Sequence, residues 1–439
     1  MKRIGKYIMS GFKRRTSRIV GGMAFFIFLL YPSFLSGQLR EVSLSACRDS
    51  AYANYPLIRK YNLIRESTHY KLSNLKKQYL PQGSFGAQAT LQSEVTTIPV
   101  KLPGLDIPEL SKDQYRTQLE IDQLIYDGGR IRTSKLITAQ QGEVEAKEWE
   151  VNMYPIYERV DELYFGILLL REQLLLNRIL QDDLQRNQEY IRSGVTYGVA
   201  TETDVDEVSV ALLDARQQEI VLKSDIVRFC QMLSLLTGLN LDGQTAFMRP
   251  SGVIPGQWHN RRPELGLLDA GRQLTEIRYK QLRATNMPVL SAFVQGIYGR
   301  PGLNMLRNAF DFGWLAGIRL SYSFGNLYSL KNNRALLQNE LSRLRNEREV
   351  FLFNTNLQLA SEQQALKRVF ELMRQDDEII RLRRNIVRAS EAKLQNGTIL
   401  INDLLRDIST ENRAMQQKAI HEIESLQIIW KMKQLINHE

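Results

Sequence analysis

GVATETDV (residues 198–205) and GTILINDL (residues 397–404) carry one pattern at an offset of 199: a glycine, five residues, then an aspartate and an aliphatic residue. Both run into a helical stretch. Glycine tolerates the backbone of a tight helix-to-helix turn, and an aspartate at the start of the returning helix can cap its free N–H groups. Outward from these turns the same order recurs. Leu80-Pro81 and Met287-Pro288, 207 positions apart, each open a strand-like segment. LEIDQLIYDGGR (119–130) and AGIRLSYSFGN (316–326) each bring a second strand into a glycine turn. Each half therefore reads helix, strand, strand, long helix, tight turn, helix, which is an internal duplication.

The strands alternate with period two. Over 312–325, Phe312, Trp314, Ala316, Ile318, Leu320, Tyr322 and Phe324 share one face, opposed by Gly313, Gly317, Arg319, Ser321, Ser323 and Gly325, with Leu315 the exception. Over 114–125, Leu119, Ile121 and Ile125 alternate with Gln114, Arg116, Gln118, Glu120 and Asp122. Over 82–95, Phe85, Ala87, Ala89 and Leu91 alternate with glutamines, Ser84 and Thr90. The segment 288–298 is blurred, because Val289 and Phe293 interrupt its polar side. Strands of about ten residues with aromatics toward their ends suit a membrane barrel. Four strands cannot close one, and a membrane tolerates no open edge. Strands of this kind require further copies of the chain.

The helices are too long for a globule. Residues 326–396 hold neither glycine nor proline over 71 positions, which predicts a helix of roughly 100 Å, against a globular mean of about 11–12 residues. The counterpart over 130–192 contains Pro155, where a kink is expected. Val205, Val208, Leu212, Ala215, Glu219, Leu222, Ile226, Phe229, Leu233 and Leu236 alternate steps of three and four, as do Val160, Leu163, Ile167, Leu170 and Leu174. In the second half, Ile379, Leu382, Ile386 and Ala389 are expected to face Ile401, Leu405, Ile408, Asn412, Met415 and Ala419. Such spacing implies left-handed coiled-coil packing within each hairpin.

Composition narrows the function. Seven of the 58 basic residues (Lys2, Arg3, Lys6, Lys13, Arg14, Arg15 and Arg18) lie in residues 1–37, which hold no acid, so the formal charge of +10 falls to +3 over the rest. That argues against nucleic acid as a partner. The basic stretch precedes an apolar core, IVGGMAFFIFLLY (19–31), and small residues near Ser36-Gly37, which reads as a secretory signal rather than a membrane span. Leu44-Ser45-Ala46-Cys47 resembles a lipid-attachment site, but Arg40 and Glu41 separate it from the apolar core and argue against lipidation. Cys47 and Cys230 are compatible with a bridge or with two free thiols. Four scattered histidines and no Cys/His cluster point to no metal or cofactor, and no phosphate loop, hydrolase elbow or CxxC points to an enzyme.

SLSACRDSAYANYPLIRKYN (43–62), YLPQGSF (79–85), LIYDGGRIRTSK (124–135), GVATETDV (198–205) and GTILINDLL (397–405), in that order and with that duplication, resemble the TolC-like outer-membrane efflux family over about residues 41–437. The resemblance implies a mainly α fold with transmembrane β: a homotrimer whose twelve-stranded barrel, four strands per chain, sits in outer-membrane lipid above a coiled-coil periplasmic tunnel. It implies a passive channel for efflux or type I secretion, docked to a periplasmic adaptor (membrane fusion protein) and an inner-membrane pump of RND or ABC type that selects the cargo. Residues 1–37 are then the signal peptide and 38–238 the first repeat, with strands near 80–95 and 113–127 and a hairpin near 128–238. Residues 239–262 connect, and 263–439 form the second repeat, with strands near 287–299 and 312–325 and a hairpin near 326–437. Gly198, Thr201, Asp204, Gly397, Thr398, Ile399 and Asp403 match the adaptor-docking tips, and Asp403, Arg406 and Asp407 are gate candidates by position. Phe312, Trp314, Ile318, Leu320, Tyr322, Phe324, Leu119 and Ile121 are expected to face lipid. Gly194-Val195-Thr196-Tyr197 ahead of Gly198 departs from the simple tip pattern. Two rivals are a periplasmic coiled-coil adaptor, which normally has one hairpin rather than two complete units, and a non-transporting envelope spacer.

Overall fold

Pro81, Pro155, Pro263 and Pro288 stand at element boundaries, where the missing N–H and fixed φ are tolerated or useful. In the computed structural model, which describes residues 41–96, 110–254 and 259–437, the first repeat runs α1 (Leu44–Asn54), α2 (Ile58–Lys77), β1 (Gln82–Leu91), β2 (Asp113–Tyr126), α3 (Arg130–Met153), α4 (Pro155–Thr196) and α5 (Glu202–Thr237). The second runs α6 (Pro263–Thr285), β3 (Val289–Arg300), β4 (Asp311–Ser321), α7 (Gly325–Gln395) and α8 (Ile401–Leu435). The signal segment read at 1–37 lies outside the described residues. The fold is the expected one, long helices carrying a four-stranded sheet.

The sheet is antiparallel in the order β1-β2-β3-β4, so β1 and β4 are its edges. Its polypeptide enters the helices differently in the two repeats. At the end of β2, Gly128 (φ 69°) and Gly129 (φ 85°) are both left-handed. Asp127 accepts from the N–H groups of Gly129 at 2.8 Å and Ile131 at 2.6 Å, covering donors at the start of α3. A Cβ on Gly128 would sit 2.3 Å from Met287 Cβ, so this junction also locks onto the end of α6. Arg130 completes the lock by donating to the carbonyls of Thr285 (2.9 Å) and Met287 (3.1 Å). β4 instead passes into α7 through Phe324, whose backbone is already helical.

α7 is one unbroken helix of 71 residues. Its counterpart divides at Pro155, as expected. The backbone of Tyr154 remains helical (φ −58°, ψ −39°), but proline has no N–H for the carbonyl of Val151, which accepts from Tyr154 N at 3.3 Å instead. α4 pairs with α5 and α7 with α8, while α2 and α6 flank α3.

The seams depart from the sequence expectation in two places. In α5, Val205, Val208, Leu212, Ala215, Leu222 and Ile226 are buried, but the stripe continues through Cys230, Leu233 and Thr237 rather than Phe229 and Leu236. A straight helix drifts about 20° per heptad, and one extra residue restores the seam. Phe229 turns to Gly166, where a Cβ would meet its ring at 2.5 Å. In α7 the buried residues are Thr355, Leu366, Val369, Asp376, Val387 and Ser390, whereas Ile379, Leu382 and Ile386 are 44%, 48% and 43% exposed. Polar groups hold this seam. Asp376 bonds His421 Nδ1 at 2.8 Å, and Ser390 donates to Asp407 at 2.7 Å. In α8 it is Leu404 rather than Leu405 that is buried.

The largest core lies at mid-length, where Leu44, Cys47 and Ala51 of α1 meet Val160, Tyr164, Phe165 and Ile167 of α4 and Ile226, Cys230 and Leu233 of α5. The hydroxyl of Tyr164 lies 2.7 Å from the carbonyl oxygens of both Val42 and Met248, tying the start of the first repeat to the connecting segment. Both cysteines are free and buried. Burial pushes the Cys47 thiol up to about 12 and raises that of Cys230.

Candidate functional site

The sheet has one apolar and one charged face, and its register aligns each across all four strands. Phe85, Leu119, Gly296 and Trp314 form one row, and Ile121, Val294 and Ala316 lie in the next. Phe312, Trp314, Ile318 and Leu320 are 66%, 68%, 71% and 68% exposed, and Leu119 and Ile121 about half exposed. Exposed aromatic and aliphatic side chains in such continuity are abnormal for a surface in water. Tyr322 and Phe324 fall beyond the last residue of β4, edge to face at 4.6 Å, at the junction with α7. At the far end, Tyr298 stacks on Phe310 at 5.8 Å, and Tyr115 lies 6.1 Å from the same ring. Aromatics thus mark both ends of the strands.

The opposite face is ionic. Arg319 bridges Glu120 (3.1 Å) and Asp122 (3.3 Å), and Gln118 and Gln295 donate to Glu120 at 2.9 and 3.3 Å. The register resolves the blur of β3: Phe293 lies in the row of Asp122 and Gly317. It fills the space a Cβ on Gly317 would contest, and the Arg319 guanidinium covers its ring at 4.6 Å. An aromatic on the polar face is therefore the floor beneath a charge network. Among the described residues no helix is long and apolar enough to cross a membrane, and no cluster of His, Cys, Asp or Glu could hold a metal ion.

At the other end of the molecule both tips close by the same backbone device. Gly198 N–H donates to Val195 O and Val199 N–H to Gly194 O, at 3.0 and 2.9 Å. Gly397 N–H to Leu394 O (2.9 Å) and Thr398 N–H to Lys393 O (3.0 Å) repeat it. This is a Schellman turn around a left-handed glycine (φ 76° and 68°). The returning helices then differ. Thr201 caps α5 in a reciprocal box with Asp204, whose carboxylate accepts from Thr201 N at 2.8 Å. The residue 199 positions on is Leu400, 72% exposed, which has no side chain to cap α8. Tyr197 and Val199 are each 82% exposed, and Thr201 and Thr398 are exposed beside them, with Ile399 half-buried.

Beneath the tips, Ile191, Val205, Val208, Val387, Ile401, Leu404 and Ile408 form one core that joins the hairpins, and Asn402 donates to Glu207 across it at 2.8 Å. Of the gate candidates, Asp403 and Arg406 pair at 3.2 Å on the outside of α8, while Asp407 is tied inward by Ser390. The structure thus does not bring the three together as one cluster. Sequence reading missed the polar seam residues Asp376 and His421. An acid and a histidine carry no period, and only their placement across a hairpin reveals a pair.

The sequence profile described as outer membrane efflux protein matches residues 48–239, from α1 to just past α5. Over that stretch, a little under half of its length, the chain is similar to that family. The fold of the whole chain agrees. The outer membrane protein VceC from Vibrio cholerae superposes with a TM-score of 0.63 at 11% identity, over 90% of this chain and 97% of that one. The CmeC outer membrane channel of Campylobacter jejuni gives 0.63 at 13%, over 90% and 85%. The open state of the MtrE outer membrane channel of Neisseria gonorrhoeae gives 0.61 at 12%, over 90% and 88%. At such identities the likeness is one of fold. Comparison with curated proteins found no match.

Proposed function

We propose that this chain is an outer membrane efflux protein, three copies of which close a twelve-stranded barrel in the outer membrane, with the helices in the periplasm, and form the passive exit channel of an efflux or type I secretion assembly. The sheet carries the reading. It has two unpaired edges, an exposed apolar face and an ionic face. In hydrocarbon each unpaired backbone group costs several kcal/mol, so β1 of one copy must pair with β4 of the next. Phe312, Trp314, Ile318, Leu320, Leu119 and Ile121 then meet lipid, Tyr322 and Phe324 lie at the periplasmic interface, and the Arg319 network lines water. The half-exposed Ile379, Leu382 and Ile386 of α7 suit a neighbouring helix of the tunnel. The tips around Gly198–Asp204 and Gly397–Asp403 form the surface for a periplasmic adaptor, which links the channel to an inner-membrane pump of RND or ABC type. Asp403 and Arg406, on the outside of α8, are the better gate pair, and the pump selects the cargo.

Purified protein in detergent should have the mass of a trimer and conduct ions in a planar bilayer. The double variant Asp403→Ala, Arg406→Ala should conduct more than the parent if these groups constrict the entrance. A monomer with no conductance would overturn the channel reading in favour of an envelope spacer.

A further inference from the structure

Away from sheet and tips, a cavity of about 220 Å³ opens where α1, the Pro155 joint and the end of α8 meet, with Ser45, Arg48, Tyr154, Trp430, Lys433 and Asn437 in its wall. Its two cations are held differently. Arg48 is satisfied by Asp161, its Nε donating to Oδ1 at 2.8 Å and its Nη2 to Oδ2. Lys433 is only 8% exposed and has no carboxylate or carbonyl partner among the described residues, its ammonium resting 4.4 Å from the centroid of the Trp430 ring. An ammonium on so buried a side chain normally has a counter-ion, and this one rests on an aromatic face with none among the described residues. The Nε1–H of the same indole is enclosed by protein with no acceptor. Burial, with repulsion from Arg48, holds the Lys433 ammonium below its ordinary range, so the site as it stands favours an incoming negative charge.

The occupant's chemistry follows from this wall. One lysine without a carboxylate partner matches a single negative charge. A dianion such as phosphate would leave charge unbalanced and would face the exposed Asp49 on the rim. Tyr154, Tyr157 and Trp430 add aromatic surface to a wall that also carries Ser45, Gln434 and Asn437. We propose that this cavity binds a small aromatic carboxylate, its oxygens at Lys433 Nζ and its ring against Tyr154 and Tyr157. The site lies at the one point where the first repeat's long helix is broken, so occupancy ties α1, α4 and α8 together there.

The test uses the full-length protein in detergent and 4-fluorobenzoate, followed by fluorine NMR line broadening. The expected result is saturable binding, at least tenfold weaker for the neutral 4-fluorobenzamide and at least tenfold weaker in Lys433→Met. Lys418→Met, at an ion pair on the helix surface, should leave it unchanged. Inorganic phosphate should not displace the probe. Absence of saturable binding to the parent protein, or equal binding of benzoate and benzamide, overturns the proposal. The benzamide comparison needs no variant to fold.

Discussion

α7 covers 71 residues without interruption, whereas α3 and α4 divide the equivalent path at Pro155. The contrast extends to both ends of the same helices. The first repeat leaves its strand through two left-handed glycines and caps its tip with Thr201 and Asp204; the second passes straight from β4 into α7 and starts α8 at an exposed Leu400. Two copies of one plan have therefore diverged in local detail while keeping strand count, helix order and the tip glycine. The first repeat carries the joint and the second the unbroken strut.

The largest effect should come from moving the break. Asn354 lies 199 residues after Pro155 and is exposed in mid-α7, so Asn354→Pro removes no buried side chain. It does remove a backbone bond and introduce a ring clash, which cost about 3 kcal/mol or more in a helix interior. The variant should melt well below the parent by circular dichroism and lose its trimer on gels. Pro155→Ala, by contrast, should change stability by less than about 1 kcal/mol, because the backbone at Tyr154 is already helical. Equal tolerance of the two changes would mean that the unbroken strut has no structural role.

A smaller pair of changes tests the tips. Thr201→Ala removes the cap of α5 and should cost about 1 kcal/mol. Leu400→Thr should stabilise α8 by a similar amount, since Asp403 already occupies the position that completes a capping box. Amide exchange in the first turns of α5 and α8 would read the two effects separately. If Leu400 remains uncapped because it touches an adaptor, Leu400→Thr should gain stability while capturing less adaptor, and Thr201→Ala should lose stability alone.

What could be read from sequence was whatever repeats with a period. Alternation along 312–325 placed Phe312, Trp314 and Ile318 on one face, and the absence of glycine and proline over 326–396 foretold α7. The tip glycines were legible because few residues tolerate positive φ. The seam of α7 was not, because Asp376 and Ser390 are buried through partners on α8 that a hydrophobic pattern cannot pair. The shift from Phe229 to Cys230 was hidden for a related reason: a strict heptad ignores the drift of a straight helix. Nor did any local signal announce the cavity at Lys433, whose walls come from three separated segments.

The smallest expected effect also comes from a polar residue inside a seam. Glu219 interrupts the apolar stripe of α5, where Lys223 (2.8 Å), Gln181 (3.1 Å) and Arg178 (3.4 Å) surround it. Hydrogen bonds from Lys223 and then Gln181 hold its carboxyl down at about 2, below an ordinary value of 4.5. A depressed carboxyl contributes stability fully above its unfolded value and loses that contribution as pH falls through the folded one. Glu219→Gln should therefore melt slightly below the parent at pH 7, with the gap closing between about pH 4.5 and 2. The residue 199 positions on is Lys418, paired with Asp377 at 2.6 Å, and that hydrogen bond raises its ammonium above the usual range. Its contribution has the opposite sign, present below the unfolded value of 10.5 and lost as pH rises through the folded one. Melting curves across pH should separate the repeats, with Glu219→Gln converging on the parent in acid and Lys418→Met only in strong base. Convergence of both at the same end would mean that the two positions do not titrate as their surroundings dictate.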